Sequence, residues 1–271
     1  MPVVHSIIAV LAAFAVSGCV STGNVKAFKD DQIAMKEEAE ISMAERHDLF
    51  RKRRFTYLMA WNGIPVGKII AVIGDVVEYK GRDVHVVTIK TESNKYLSKI
   101  YRVEDIYTSY VDAETVTSRR YEADRKEGNY RKHLVVEYDF DRMKAVYTNL
   151  TDGSVKECAI RENVQDPVSA MCYFMTLPIS VGDRLNITVN LNEKNYDLYG
   201  KVEKLDMIDL PDLGTFPAFR IRPYAEVGGK KYKRGSGYLY FTSDKERRPI
   251  YGVVWIPFGK VTATLRSVEE I

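Results

Sequence analysis

Cys19 is the residue whose surroundings most clearly specify a reaction. It closes the run Val16-Ser17-Gly18-Cys19 behind an apolar stretch from Ile7 to Val16. Small residues before a cysteine, after a short apolar segment, form the pattern at which bacterial lipoprotein processing acylates and cleaves. The thiol would carry diacylglycerol and the freed amine a third acyl chain. The stretch is short for a bilayer span, so a removed signal over residues 1–18 fits better than a membrane helix. An ordinary signal peptide with an incidental cysteine is the plainer alternative, and Met1 to Ser6 lacks the Lys or Arg of a usual leader. Acyl chains at about 0.8 kcal/mol per buried CH₂ would make the anchor effectively permanent. Val20, not Asp, follows the cysteine, which favours the outer over the inner membrane. The expected location is the periplasm-facing cell envelope.

The remaining chemistry-bearing residues are sparse. With Cys19 acylated, Cys158 and Cys172 are an even pair in an oxidising compartment. A disulfide between them would contribute about 3 kcal/mol; two separate buried thiols are the alternative. Neither carries a signature that places a histidine beside it, so a catalytic thiol is not expected. His5 leaves with the signal, His47 lies in the linker, and His85 and His133 fall in strand-like runs. No metal-ligand spacing is present, so no metal site is expected. Gly235-Ser236-Gly237 resembles a nucleophile elbow only superficially, because Arg234 stands where that motif needs glycine; a hairpin turn is the better reading. With no phosphate loop or dinucleotide fingerprint, no cofactor is expected. Glu37-Glu38 and Glu269-Glu270 lie in solvated segments, and nothing argues for a catalytic carboxylate pair. The formal charge of +3 over 271 residues gives no footprint for nucleic acid. The chain reads as non-catalytic.

Aromatic and basic residues are the more prominent content. Tyrosines on a curved sheet can fill the core with their rings while the hydroxyls reach water. Alternatively, some line an apolar cleft for an acyl chain or other amphipathic ligand. Trp61, Phe174, Met175, Phe219, Tyr240 and Trp255 are the candidates for that lining. Two basic runs, Arg51-Lys52-Arg53-Arg54 and Lys230-Lys231-Tyr232-Lys233-Arg234, could meet anionic head groups or be solvated strand ends and hairpin tips.

The elements that must position these residues divide the chain into three. Residues 1–18 are the signal. Residues 19–54 form a polar linker in which Phe28, Met35, Ala39 and Met43 recur at helical spacing, a helical tether that could also pack on the domain or a partner. Residues 55–271 form one β-rich domain. Leu185 to Leu191 alternates apolar and polar throughout, a half-buried strand. Asn62-Gly63, Lys80-Gly81, Glu127-Gly128-Asn129, Thr151-Asp152-Gly153 and Val227-Gly228-Gly229 punctuate hairpins. One segment breaks this rhythm: Asp166 reads as an N-cap, Pro167 as the first helical residue and Pro178 as the exit of a buried helix. The expected fold is all-β with minor α: a large curled antiparallel sheet, or half-barrel, with one inserted helix and a preceding helical tether.

Between about Phe55 and Leu265 the chain resembles DUF family 3108, a group of exported bacterial proteins of unsettled function. The resemblance rests on an ordered set of segments: Trp61-Asn62-Gly63-Ile64-Pro65-Val66-Gly67, Tyr101-Arg102-Val103-Glu104-Asp105, Gly128-Asn129-Tyr130-Arg131, Gln165-Asp166-Pro167-Val168-Ser169-Ala170, Val181-Gly182-Asp183 and Ser243-Asp244-Lys245-Glu246-Arg247-Arg248-Pro249. The family commonly carries an Arg near the end of the inserted helix, where this chain has Met175-Thr176. The plan is similar to that of lipoprotein carriers of the LolA and LolB type, a likeness of fold alone. Two functions are compatible with this reading. One is an anchored module that holds a lipid-like or otherwise apolar envelope ligand between sheet and helix. The other is a scaffold whose sheet edge or tether helix docks a protein partner in an envelope complex.

Overall fold

The computed structural model describes residues 48–227, 230–232 and 236–271. The signal, Cys19, the linker to residue 47, Lys233 and Arg234 lie outside the described residues. The strands are β1 (Arg53–Trp61), β2 (Ile64–Tyr79), β3 (Arg82–Ser93), β4 (Glu104–Asp112), β5 (Ser118–Glu127), β6 (Tyr130–Asp139), β7 (Lys144–Asn149) and β8 (Val155–Ala159). Helix α1 (Pro167–Thr176) follows, then β9 (Arg184–Leu191), β10 (Lys194–Leu210), β11 (Gly214–Val227), β12 (Lys230–Tyr232), β13 (Ser236–Thr242), β14 (Pro249–Ile256) and β15 (Gly259–Glu270).

The strands form one antiparallel sheet in the order β8-β7-β6-β5-β4-β3-β2-β1-β15-β14-β13-β11-β10-β9, with β12 paired to β11. The chain thus runs outward from β1 to one edge, crosses through α1 to the opposite edge, and returns to β1. Two-residue turns join neighbours where the backbone can take positive φ, as at Asn62 (φ 50°) and Gly63 (φ 84°). Bulges in β2, β5, β10, β14 and β15 bend the long strands and curl the sheet.

The curl brings the two edge strands together without completing a ladder between them. Gln165 bridges to β9 through its backbone, donating to Thr188 O at 2.9 Å and accepting from Asn190 N at 2.8 Å. Side chains complete the seam: Tyr147 Oη donates to Asn190 Oδ1 at 2.5 Å, Asn195 Nδ2 to Ala159 O at 2.8 Å, and Lys156 pairs with Glu193. This stitching protects edges that would otherwise present unpaired backbone groups.

Helix α1 starts where its sequence specifies. Asp166 Oδ1 accepts from the N–H groups of Val168 (2.6 Å) and Ser169 (3.0 Å), while Ser169 Oγ accepts from Asp166 N–H at 2.9 Å. This is a reciprocal capping box, with Pro167 in the first turn and an extended Leu177 ending the helix. Strand β1 begins two residues before the expected domain boundary, and Leu49 and Phe50 ahead of it are buried in the core. The residues just ahead of β1 therefore pack as part of the domain.

Candidate functional site

Along β4 the residues Asp105, Tyr107, Ser109 and Val111 are buried at every second position, so strand periodicity aims a carboxylate and a hydroxyl into the core. Ser109 and Ser118, on adjacent strands, both donate to Asp166 Oδ2 at 2.5 Å. The capping carboxylate thereby accepts four hydrogen bonds in a fully buried position. Burial pushes its pKa up, and these four donors oppose that rise.

A second polar knot closes the same half of the interior. Asp105 accepts from Tyr107 Oη at 3.0 Å and from Lys126 N–H at 2.8 Å. Fully buried Glu127 is gripped by Arg125, through Nε at 2.9 Å and through Nη2. Burial pushes Asp105 up to about 6; the Lys126 N–H lowers it and the Glu127 charge adds to the rise. Tyr101 packs flat on Gly128, where φ is +55° and a Cβ would stand 2.8 Å from the ring. Only glycine satisfies both demands. The segments Tyr101–Asp105 and Gly128–Arg131 thus meet in one structural knot.

The other half of the interior has a different composition. Ala170, Phe174, Met175, Leu177 and Ile179 pack with Leu185, Ile187, Val189, Leu198, Val202, Ile221, Leu239 and Phe241 in a cluster whose one hydroxyl-bearing buried member is Tyr196. Phe174 stacks on Phe241 with ring centroids 5.8 Å apart. Helix α1 spans both halves: Val168 and Cys172 belong to the first cluster, Phe174 and Met175 to the second. Its N-terminus is fixed by buried polar bonds. Its C-terminal half is fixed by apolar contact and by bonds within the helix end itself, Thr176 Oγ1 to Tyr173 O and Leu177 N to Phe174 O.

The candidates for the cleft lining do not gather in one place. Phe174 and Met175 are buried in the apolar cluster and Phe219 packs against it. Tyr240 packs against the first cluster. Trp61 and Trp255 are exposed on the outer ends of β1 and β14. Strand alternation and the pairing of distant strands decide these positions, and neither is visible from one strand's sequence. A cavity of about 680 Å³ lies instead at the end of the sheet bearing the Lys80-Gly81 turn, lined by Tyr79, Lys80, Arg82, Arg119, Glu137 and Phe140 among others. It contains none of the six.

Two further expectations are corrected. Cys158 and Cys172 are free thiols; Cys158 Sγ accepts from Asn190 Nδ2 at 3.5 Å, and Cys172 is buried in the helix with its thiol pKa pushed up by that burial. The basic run at the start of β1 is not an open cationic surface. Arg51 pairs with Glu246 at 2.8 Å, Lys52 with Asp75 at 2.8 Å and Arg54 with Glu269 at 3.2 Å. Arg53 is 1% exposed; it pairs with Glu246 and donates to Leu49 O. Alternation turns Arg53 inward while its neighbours face out. Of the second run, Lys230 and Lys231 fall in the backbone of β12.

The sequence reading missed Asp105, Ser109, Ser118, Arg125 and Glu127. For Asp105, Ser109, Arg125 and Glu127 the signal was available, since they share the parity of the inward aromatic or aliphatic residues of their strands. Ser118 turns inward only through the register shift at Arg119, which the sequence does not show. The motif Ser243–Pro249 is likewise structural. Asp244 accepts from Thr242 Oγ1 at 2.6 Å, and Tyr57 Oη donates to Pro249 O at 2.8 Å.

This architecture defines a class: a single curled antiparallel sheet whose two edges are joined around one capped helix. The chain belongs to DUF3108, a family of proteins of unknown function, whose model matches residues 56–266. Among solved structures it is similar to a beta-barrel-like DUF1849 protein from Brucella abortus, with a TM-score of 0.57 at 7% identity over 82% of this chain and 98% of that one. A protein with a YmcC-like fold from Bacteroides fragilis aligns with a TM-score of 0.33 and 9% identity, over 81% of this chain and 96% of that one. No curated protein matches the sequence.

Proposed function

We propose that the protein is a non-catalytic lipoprotein of the cell envelope, anchored through acyl chains on Cys19, that holds a lipid-like or otherwise apolar ligand. The observation that carries the ligand reading is the asymmetric fixing of α1. Its first turn is bonded to the sheet through Asp166, Ser109 and Ser118, whereas Phe174, Met175 and Leu177 meet β9–β13 through apolar contact. An acyl chain can replace apolar contacts at little cost, because one hydrocarbon surface substitutes for another. It cannot replace a buried carboxylate's hydrogen bonds. A ligand would therefore enter beside the C-terminal half of α1, with the capped end as pivot. Phe174, Met175 and Phe219 are the candidates that such a chain would touch.

Native mass spectrometry on the gently purified full chain tests both parts. The expected result is a triacylated or diacylated amino terminus at Cys19 and an additional, dissociable lipid mass. That lipid mass should be lost in Phe174→Trp, whose larger side chain takes the volume an acyl chain would need on displacing Phe174. An unmodified Cys19 would overturn the anchor; a chain that carries no dissociable lipid would overturn the ligand reading.

A further inference from the structure

The strand register sorts the turns between two ends of the sheet. Turns 62–63, 128–129, 150–154, 192–193 and 257–258, with the loop 94–103, lie at one end. Turns 80–81, 113–117, 140–143, 211–213 and 243–248 lie at the other, together with the chain entering β1. Strand β1 crosses between the two ends in nine residues, ~30 Å at the usual rise.

The first end carries Trp61 (36% exposed), Ile64 (68%), Tyr96 (68%), Ile100 (87%), Trp255 (42%) and Phe258 (58%). The exposed large apolar residues near the opposite end are Val76, Val77, Val181, Met207 and Ile271, with no aromatic among the described residues. The exposed aromatics stand on turns that are bonded to one another. Trp61 Nε1 donates to Phe258 O at 3.2 Å and Lys260 N to Asn62 Oδ1 at 2.8 Å. Asn62 N donates to Lys260 O at 2.9 Å, and Asn94 Nδ2 to Pro65 O at 2.6 Å. The loop 94–103 in turn holds the 128–129 turn through Gly128 N to Arg102 O at 2.7 Å. The result is a fixed crown of side chains on separate tips, not a groove.

Its charge complements an anionic surface. Lys95, Lys99, Arg131 and Lys260 are exposed here and make no ion pair among the described residues. Lys95 lies over the Tyr96 ring, and Arg131 donates to the carbonyls of Gly128 and Tyr130. At the opposite end Arg51, Lys52, Arg53 and Arg54 are matched by carboxylates. Arg142 and Lys245, exposed there without an ion pair among the described residues, have no exposed aromatic beside them.

We infer that this crown is a docking surface for an anionic lipid bilayer, distinct from the acyl anchor at Cys19. Indole and aliphatic groups at the tips, with unpaired cations around them, match the chemistry of the head-group boundary. Trp61 can enter that boundary with its N–H already satisfied by Phe258 O, so no donor is stranded. A protein partner would meet a continuous face more readily than separate tips. The chain from Cys19 to Arg53 is long enough, at up to ~3.4 Å per residue, for the crown to reach the membrane that holds the anchor.

The chain has two tryptophans, and both are on the crown, so selectively excited tryptophan emission reads this surface and no other. The full chain is mixed with phosphatidylglycerol vesicles carrying brominated acyl chains, and flotation is scored in parallel. Expected are a blue shift and quenching of tryptophan emission, weak in phosphatidylcholine vesicles and reversed by high salt. Phe258→Ser with Ile64→Ser should weaken the quenching titration roughly ten- to a hundredfold, and Lys95→Glu with Lys260→Glu should remove its preference for anionic lipid. Both pairs are exposed, so an unchanged melting midpoint verifies folding. Protein that floats through its amino terminus while emission stays unquenched would overturn the crown and leave the anchor standing. Quenching equal in the wild type and both double variants would also overturn it.

Discussion

Where β3–β6 curl around the start of α1, the interior is threaded with hydroxyls and carboxylates bonded to one another; where β9–β13 curl around the helix's second half, the interior is almost wholly hydrocarbon. The same helix therefore has one end held by directional bonds and another held by area. Directional bonds are costly to break singly, because each lost partner strands a buried polar atom. Apolar contacts are non-directional, so another apolar surface can take their place. The first half fixes where α1 sits, and the second is the half a lipid could open.

The largest effect is expected from removing the directional end. Asp166→Ala deletes the helix cap and leaves Ser109, Ser118 and two N–H groups without their acceptor. A loss of about 3–5 kcal/mol is expected in urea unfolding; a loss under about 1 kcal/mol would mean that the cluster does not hold the helix. Phe174→Ala, in the apolar half, should cost about 3 kcal/mol in lipid-free protein through the cavity it leaves. Added phospholipid should recover part of that loss for Phe174→Ala and none of it for Asp166→Ala, which separates the two halves by ligand and not by stability alone.

The helix boundaries and much of the sheet were legible in the sequence, because Asp166, Pro167 and Pro178 specify an end chemically and Leu185 to Leu191 repeats the strand period without interruption. The Asn62-Gly63, Lys80-Gly81 and Gly128-Asn129 turns likewise fall where their residues place them. What could not be read was which strands meet. Trp61 and Trp255 share the crown because β1 pairs with β15 and β15 with β14, a closure between the two ends of the chain. The disulfide expectation failed because cysteine count carries no geometry: Cys158 lies on an edge strand and Cys172 on α1. The buried acids escaped notice because Asp105 and Glu127 sit among residues that individually look like solvated surface.

A smaller effect follows from Asp105. Its folded pKa is raised from 3.8 to about 6 by burial, so between those values the folded state holds a proton that the unfolded chain releases. Its contribution is fully present below about pH 4 and is lost as pH rises through 6. The difference in unfolding free energy between wild type and Asp105→Asn should therefore change by about 2–3 kcal/mol across that window. A flat difference would show that the carboxyl titrates alike in both states. Smallest of all, reductant should shift the melting midpoint by less than about 1 °C, since Cys158 and Cys172 are already thiols. A drop of several degrees would restore the disulfide.

Hydrogen exchange on the purified full chain, followed by mass spectrometry, tests the contrast between the two halves most directly. Amides of residues 171–177 and of β9 should exchange at least tenfold faster than those of β4 and β5, through a local opening that does not require global unfolding, and added phospholipid should slow them selectively. Equal protection in the two halves, or faster opening of β4 and β5, would contradict the account.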